Sequence, residues 1–145
     1  MKTVGAILMF LLAAGSLAVA RDEETLEQLI SRADSAQVDQ QPDLYVQVAE
    51  RELKVVVEAY KACNPEVGRA ALDPLVTYSD KAHATAIHSG KKLKHTEIKL
   101  RQIALRLRDL KVNVALDEQQ GVQAALDKVE GFRTELLKTM FGPKK

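Results

Sequence analysis

The sequence predicts an all-α protein, an up-and-down antiparallel bundle of four to five helices that follows an N-terminal signal peptide. Apolar residues recur at spacings of three and four along most of the chain, which is the period of an amphipathic helix. The chain holds only 7 Gly and 4 Pro. No stretch alternates apolar and polar residues between turn signals, as a half-buried strand does. These observations favour helices packed on helices.

The first residues have the pattern of a secretory signal peptide. Lys2 precedes an apolar run, and the small residues of Ala18-Val19-Ala20 stand just before Arg21. An uncleaved membrane anchor is the alternative, but the run falls short of the ~20 residues that a membrane span needs. We therefore expect cleavage after Ala20, export to a periplasm or to the medium, and one helical-bundle domain over residues 21–145 with no further transmembrane segment.

The helices are predicted over 22–36, 43–62, from Pro65 onward, and over 118–140. The polar segment 37–42 separates the first helix from the second. Asn64 is expected to cap the third helix, with Pro65 at its first position, where a missing N–H costs nothing. Pro74 lies inside this helix and is expected to kink it.

Two interpretations of the region after Pro74 are open. The apolar positions Ala82, Ala86, Leu93 and Leu100 stay in phase across Gly90, so a single long bent helix can run to about Ala115. Two helices that break near Gly90 are favoured, because glycine is a common helix stop.

Cys63 is the only cysteine, so no disulfide can form within one chain. The thiol either bridges two chains or is a half-buried small side chain at a helix end, and the second alternative is expected.

Charge is divided unevenly along the chain. Residues 22–62 contain ten acidic and four basic side chains, whereas residues 81–111 contain nine basic and two acidic ones. Advancing ~100° per residue around a helix places Leu100, Ile103 and Leu107 on one core-facing side of the basic segment. Ile98, Leu105 and Val112 are seven residues apart and form a second apolar line on the basic side. The acidic first and second helices are expected to cover this line; otherwise it is a binding surface.

The basic segment thus contains a candidate interaction face with basic and aliphatic members. The face consists of Lys91, Lys94, Ile98, Lys99, Arg101, Leu105, Arg106, Arg108 and Val112. Its partner is expected to be another protein or a second copy of the chain. The alternative is an anionic envelope or membrane surface, which would bind these bases together with Lys92. Nucleic acid is disfavoured, since the chain is predicted to be exported and no aromatic residue stands among these bases.

No catalytic constellation, metal site or cofactor site is predicted. His88 and His95 share a helix face but lie two turns apart, roughly 10 Å, too far to bind one metal ion, and His83 points elsewhere. Solvated or capping roles are expected for the three histidines. A metal or haem carrier, with Met140 as a haem ligand, is the second alternative function. The sequence thus predicts an exported, non-catalytic protein that acts through protein contacts or self-association.

Overall fold

The computed structural model describes residues 23–144, in which all regular structure is helical. The helices are α1 (Leu26–Ser35), α2 (Gln41–Lys61), α3 (Pro65–Ser89), α4 (Leu93–Asn113) and α5 (Leu116–Phe141). The predicted all-α fold class is confirmed. None of these helices combines the length and the apolar character needed to cross a membrane. The predicted signal peptide over 1–20 and its cleavage site lie outside the described residues.

Two antiparallel hairpins form the bundle. The α2–α3 hairpin pairs Tyr45 with Tyr78, whose ring centroids are 6.2 Å apart. The α4–α5 hairpin packs beside it, with α3 against α5 and α2 against α4. These neighbours run parallel, because Arg69 lies beside Glu118 near the starts of α3 and α5, whereas His83 stacks on Phe132 farther along both helices. The α3–α5 and α2–α4 pairs are therefore parallel, whereas consecutive helices, α3 and α4 included, are antiparallel.

The main core lies between the two hairpins and is built from aliphatic side chains of α2 to α5. Leu75, Leu100, Leu107, Val129 and Leu136 are each fully buried within it. Burying such side chains is the main favourable term in folding, about 25 cal/mol per Å² of apolar surface. A second apolar cluster joins α1 to α2 and α3 and contains the fully buried Leu29 and Ala33. Because α1 packs on α2, the first helix covers the α2–α3 hairpin.

The starts of the first two helices differ from the sequence prediction. The helix expected from residue 22 begins at Leu26, because Thr25 forms a reciprocal capping box with Gln28. Glu24 precedes the helix and binds Arg32. The helix expected from residue 43 begins at Gln41 with Pro42 in its first turn, where a proline starts a helix rather than breaking it.

The other helix ends follow the sequence more closely. Asn64 caps α3 as expected, by accepting the backbone N–H of Val67. Helix α3 continues through Pro74 and ends before Gly90, whose φ of +66° is left-handed, so the prediction of two helices is confirmed. Cys63 also has a positive φ, +56°, and is exposed. The expectation of a half-buried thiol was wrong, because the turn directs this side chain into solvent.

Candidate interaction surface

Helix α4 presents the predicted face to the core. Leu100, Ile103 and Leu107 are buried, and they pack between α2, α3 and α5. The helical period thus assigned the core side of this helix correctly.

The second apolar line is open to solvent. Ile98 is half-buried, Leu105 is 48% exposed and Val112 is 73% exposed. Leu116, the first residue of α5, comes four residues after Val112 and is 82% exposed. The expectation that acidic helices cover this line was wrong, because α1 packs on the α2–α3 hairpin and makes no packing contact with α4. Sequence reasoning missed Leu116, since it assigned this residue to a loop.

Acidic side chains of α2 bind bases along one flank of α4. Asp43 lies 3.0 Å from the Lys92 ammonium and 3.5 Å from His95 Nε2. Glu50 accepts a hydrogen bond of 3.1 Å from Lys99. The acidic second helix therefore supplies counter-charges to α4, although it leaves the apolar line uncovered.

The other flank of α4 contains a buried carboxylate that was not identified from the sequence. Glu97 is only 2% exposed. It accepts hydrogen bonds of 2.6 Å from Arg101 Nη2 and 2.8 Å from Arg133 Nη2 of α5. Arg133 also binds Glu130, which accepts a 3.1 Å bond from Arg108. The sequence signal was available, because Glu97 falls on the core side of α4, three residues before Leu100.

The pKa of Glu97 records the balance of two opposing effects. Burial by itself raises the pKa of a carboxyl group, because it penalises the charged form. The hydrogen bonds and positive charges of Arg101 and Arg133 outweigh burial, so the pKa of Glu97 lies below its ordinary value. Glu97 therefore stays ionised and joins α4 to α5.

The candidate face divides into paired and unpaired bases. Lys99, Arg101 and Arg108 bind acidic groups of the bundle. Lys91, Lys94 and Arg106 are exposed, and no acidic side chain in residues 23–144 lies within salt-bridge distance of them. The surface open to a partner thus consists of the apolar line and these three bases.

An open groove of about 410 Å³ runs beside Arg106, between the C-terminal halves of α2 and α4. Val57, Leu110 and Val114 form part of its apolar lining. A neighbouring depression is lined by Leu105. The ion pairs of Asp43 and Glu50 join α2 and α4 only nearer their N-terminal ends, which leaves this end of the seam open.

The three histidines occupy different settings. His83 is buried and stacks on Phe132, with ring centroids 5.1 Å apart, so the expected solvated or capping role was wrong for this residue. Its Nε2 lies 2.6 Å from Glu135 Oε2, in a contact without hydrogen-bond alignment. His88 and His95 are exposed. Within residues 23–144 no three potential metal ligands cluster.

Comparison of the chain with protein-family models, with curated proteins and with solved structures gives no significant match. Function must therefore be inferred from the α4 surface itself. A helix face that combines exposed aliphatic side chains with unpaired bases is suited to binding another molecule.

Proposed function

We propose that this chain is an exported, non-catalytic helical-bundle protein that binds another protein, or a second copy of itself, through the outward face of α4. The observation that carries the proposal is the exposure of Leu105 and Val112 along one line of α4, with Leu116 exposed at the start of α5. Ordinary surface aliphatics are scattered singly, whereas an apolar line bordered by charged residues is typical of a contact site.

The spacing of the line favours a helical partner. Ile98, Leu105 and Val112 repeat every seven residues, which is the repeat by which two helices contact each other along their length. Lys94, which is exposed and has no acidic partner within residues 23–144, would attract acidic side chains and orient the partner.

Site-specific photo-cross-linking tests this function in the cells that produce the protein. A photoreactive amino acid at Gln102 or Asp109, beside the apolar line, should give an adduct of discrete mass. The same group at the exposed Ala70 of α3 should not give that adduct. An adduct of twice the chain mass would identify a second copy as the partner.

The matched substitutions are Leu105→Asp and Val67→Asp, because these two side chains are exposed to nearly the same extent, 48% and 45%. Leu105→Asp should abolish the adduct, and Val67→Asp should leave it unchanged. No adduct from either α4 position, or an adduct insensitive to Leu105→Asp, would reject the proposal.

Export is tested separately by the intact mass of the native protein. Cleavage after Ala20 predicts a mature chain that begins at Arg21 and is recovered outside the cytoplasm. A full-length chain that remains in the cytosol would remove export from the proposal.

Binding to an anionic envelope surface is the second candidate, and the unpaired, exposed Lys91, Lys94 and Arg106 are the observation that favours it. The protein should then sediment with acidic phospholipid vesicles at low salt and dissociate as salt screens the exposed charges. Replacing the three bases by glutamine should abolish sedimentation. Absence of vesicle binding at low salt would exclude this candidate.

A further inference from the structure

The link between α3 and α4 is short and has an unusual backbone. Gly90 has φ +66°, and Lys92 has φ +62°. Glycine adopts this left-handed conformation freely, but a lysine does so at a cost. The reversal of the chain between the two helices is thus held in part by a residue in a conformation that it disfavours.

The seven-residue repeat of buried positions continues from α3 into α4 without a shift at this reversal. Starting at Leu72, every seventh position is buried or half-buried: Leu72, Ser79, Ala86, Leu93, Leu100 and Leu107. The same is true of the positions three residues later, which are Leu75, Ala82, Ser89, Thr96, Ile103 and Leu110. A heptad repeat with two core positions therefore runs through Gly90 without a change of frame.

We infer that two copies of this chain can exchange their α4–α5 hairpins, with residues 65–113 forming one continuous helix in each copy. The closed protein and the exchanged dimer bury the same faces of α3 and α4. In the dimer, α4 of one copy packs against α2 and α3 of the other, so contacts such as Glu50 with Lys99 form between chains. Short hinges under strain favour this kind of exchange.

The exchanged dimer releases the backbone cost at Lys92 and gains helix over Lys91 and Lys92, which are good helix formers. Gly90 opposes the exchange, because glycine destabilises a helix interior and adopts the left-handed conformation without steric cost. The identity of residue 90 therefore sets the balance between the closed and exchanged forms. This inference is independent of the α4 face, since the exchanged interface is the core itself.

Light scattering after size exclusion tests the inference on the purified native protein. Gly90→Ala disfavours the closed turn and favours the continuous helix. Because both copies carry the change, the association constant of the dimer should rise by about 100-fold or more. The matched control is Gly131→Ala, a helical position where an added Cβ would meet no other atom within 4 Å, and it should leave the constant unchanged. Adding Lys92→Gly to Gly90→Ala should restore the monomer, and this second variant keeps the test decisive if Gly90→Ala alone aggregates.

The architecture of the dimer is tested with spin labels on the single exposed Cys63. In the exchanged dimer, the two continuous helices run antiparallel and place the labels about 75 Å apart, at 1.5 Å per residue. A dimer formed through the α4 face would hold them clearly closer together, because α4 then stays folded back beside α3 in each copy. A strictly monomeric Gly90→Ala protein, or a Gly90→Ala dimer with the short distance, would overturn the inference. Leu105→Asp should leave the hairpin exchange unchanged. Failure of the hairpin exchange and failure of the proposed α4 contact are therefore distinguishable.

Discussion

Glu97 shows how a single buried charge can organise the surface around it. Its two arginine partners come from different helices, Arg101 from α4 and Arg133 from α5. Removing one partner of a buried ion pair is more damaging than breaking an exposed pair, because the remaining charges lose their compensation. The carboxylate also pairs with Arg101, whose side chain is half exposed, so part of the positive charge beside the apolar line is neutralised within the bundle.

Glu97→Gln is expected to lower the free energy of unfolding by about 2 kcal/mol at neutral pH, the size of a hydrogen bond to a charged group. Glu58→Gln is the matched control, because Glu58 is exposed and lies 3.9 Å from Lys54. The control should change stability by less than about 0.5 kcal/mol. Urea unfolding of both variants measures the difference, and equal effects would contradict the role of Glu97.

The same carboxyl group predicts a pH dependence. The pKa of Glu97 is lower in the folded chain than its ordinary value of 4.5. The unfolded chain therefore binds this proton first as the pH falls, and stability is lost from about the ordinary pKa down through the folded one. Wild type and Glu97→Gln should converge in stability in acid, and a constant difference between pH 7 and pH 3 would refute this assignment.

Glu52 predicts a pH dependence of stability with the opposite sign. It is buried, and burial raises its pKa above the ordinary value. The folded chain then binds the proton more tightly than the unfolded chain, so this group contributes less to stability as the pH rises through its folded pKa. Glu52→Gln is expected to raise the free energy of unfolding at pH 7, because the neutral amide removes the cost of burying a charge. A loss of stability on urea unfolding at pH 7 would show that the carboxylate has a stabilising partner.

At the scale of elements, the contact between the start of α3 and the end of α2 is unusually close. A Cβ at Gly68 would lie 2.6 Å from Tyr60 Cε2. The ring is not free to move aside, because its hydroxyl donates a hydrogen bond to the buried Glu118 of α5. Burial and this carboxylate raise the pKa of Tyr60 to about 12. Gly68 therefore lets three helices meet at one end of the bundle.

Gly68→Ala is expected to destabilise the protein by about 1–3 kcal/mol, the usual cost of overpacking. Gly131→Ala, in α5, meets no atom within 4 Å and should stabilise it by up to about 1 kcal/mol through helix propensity. Thermal unfolding of the two variants gives the comparison. A neutral Gly68→Ala would mean that Tyr60 repacks without loss.

The helical period was sufficient to predict the elements, but not their arrangement. It assigned the core side of α4 and the break at Gly90, because both depend on local spacing and on glycine. The helical period could not predict where α1 packs, because the apolar side of α1 can be buried against any exposed pair of helices. For this reason the predicted covering of Leu105 and Val112 was wrong. The burial of Glu97 depends on Arg133, 36 residues away, and no local pattern records that pairing.

At the scale of the whole molecule, the fold covers its two hairpins unequally. Helix α1 shields the α2–α3 hairpin, whereas the α4–α5 hairpin keeps an exposed apolar line and an open seam with α2. The bundle therefore has one side completed within the chain and one side that a second molecule can complete. The proposed partner binds at that second side.

Thiol labelling of the α4 face is the decisive test for a partner at this surface. In a Cys63→Ser background, single cysteines replace Leu105, Val112 and, as control, Val67. In dilute purified protein all three should react rapidly with a small maleimide, because all are exposed in the fold. In intact producing cells, positions 105 and 112 should become protected while position 67 stays reactive. Equal labelling of all three in cells, or protection of 105 and 112 in the dilute monomer, would contradict a partner contact at this face.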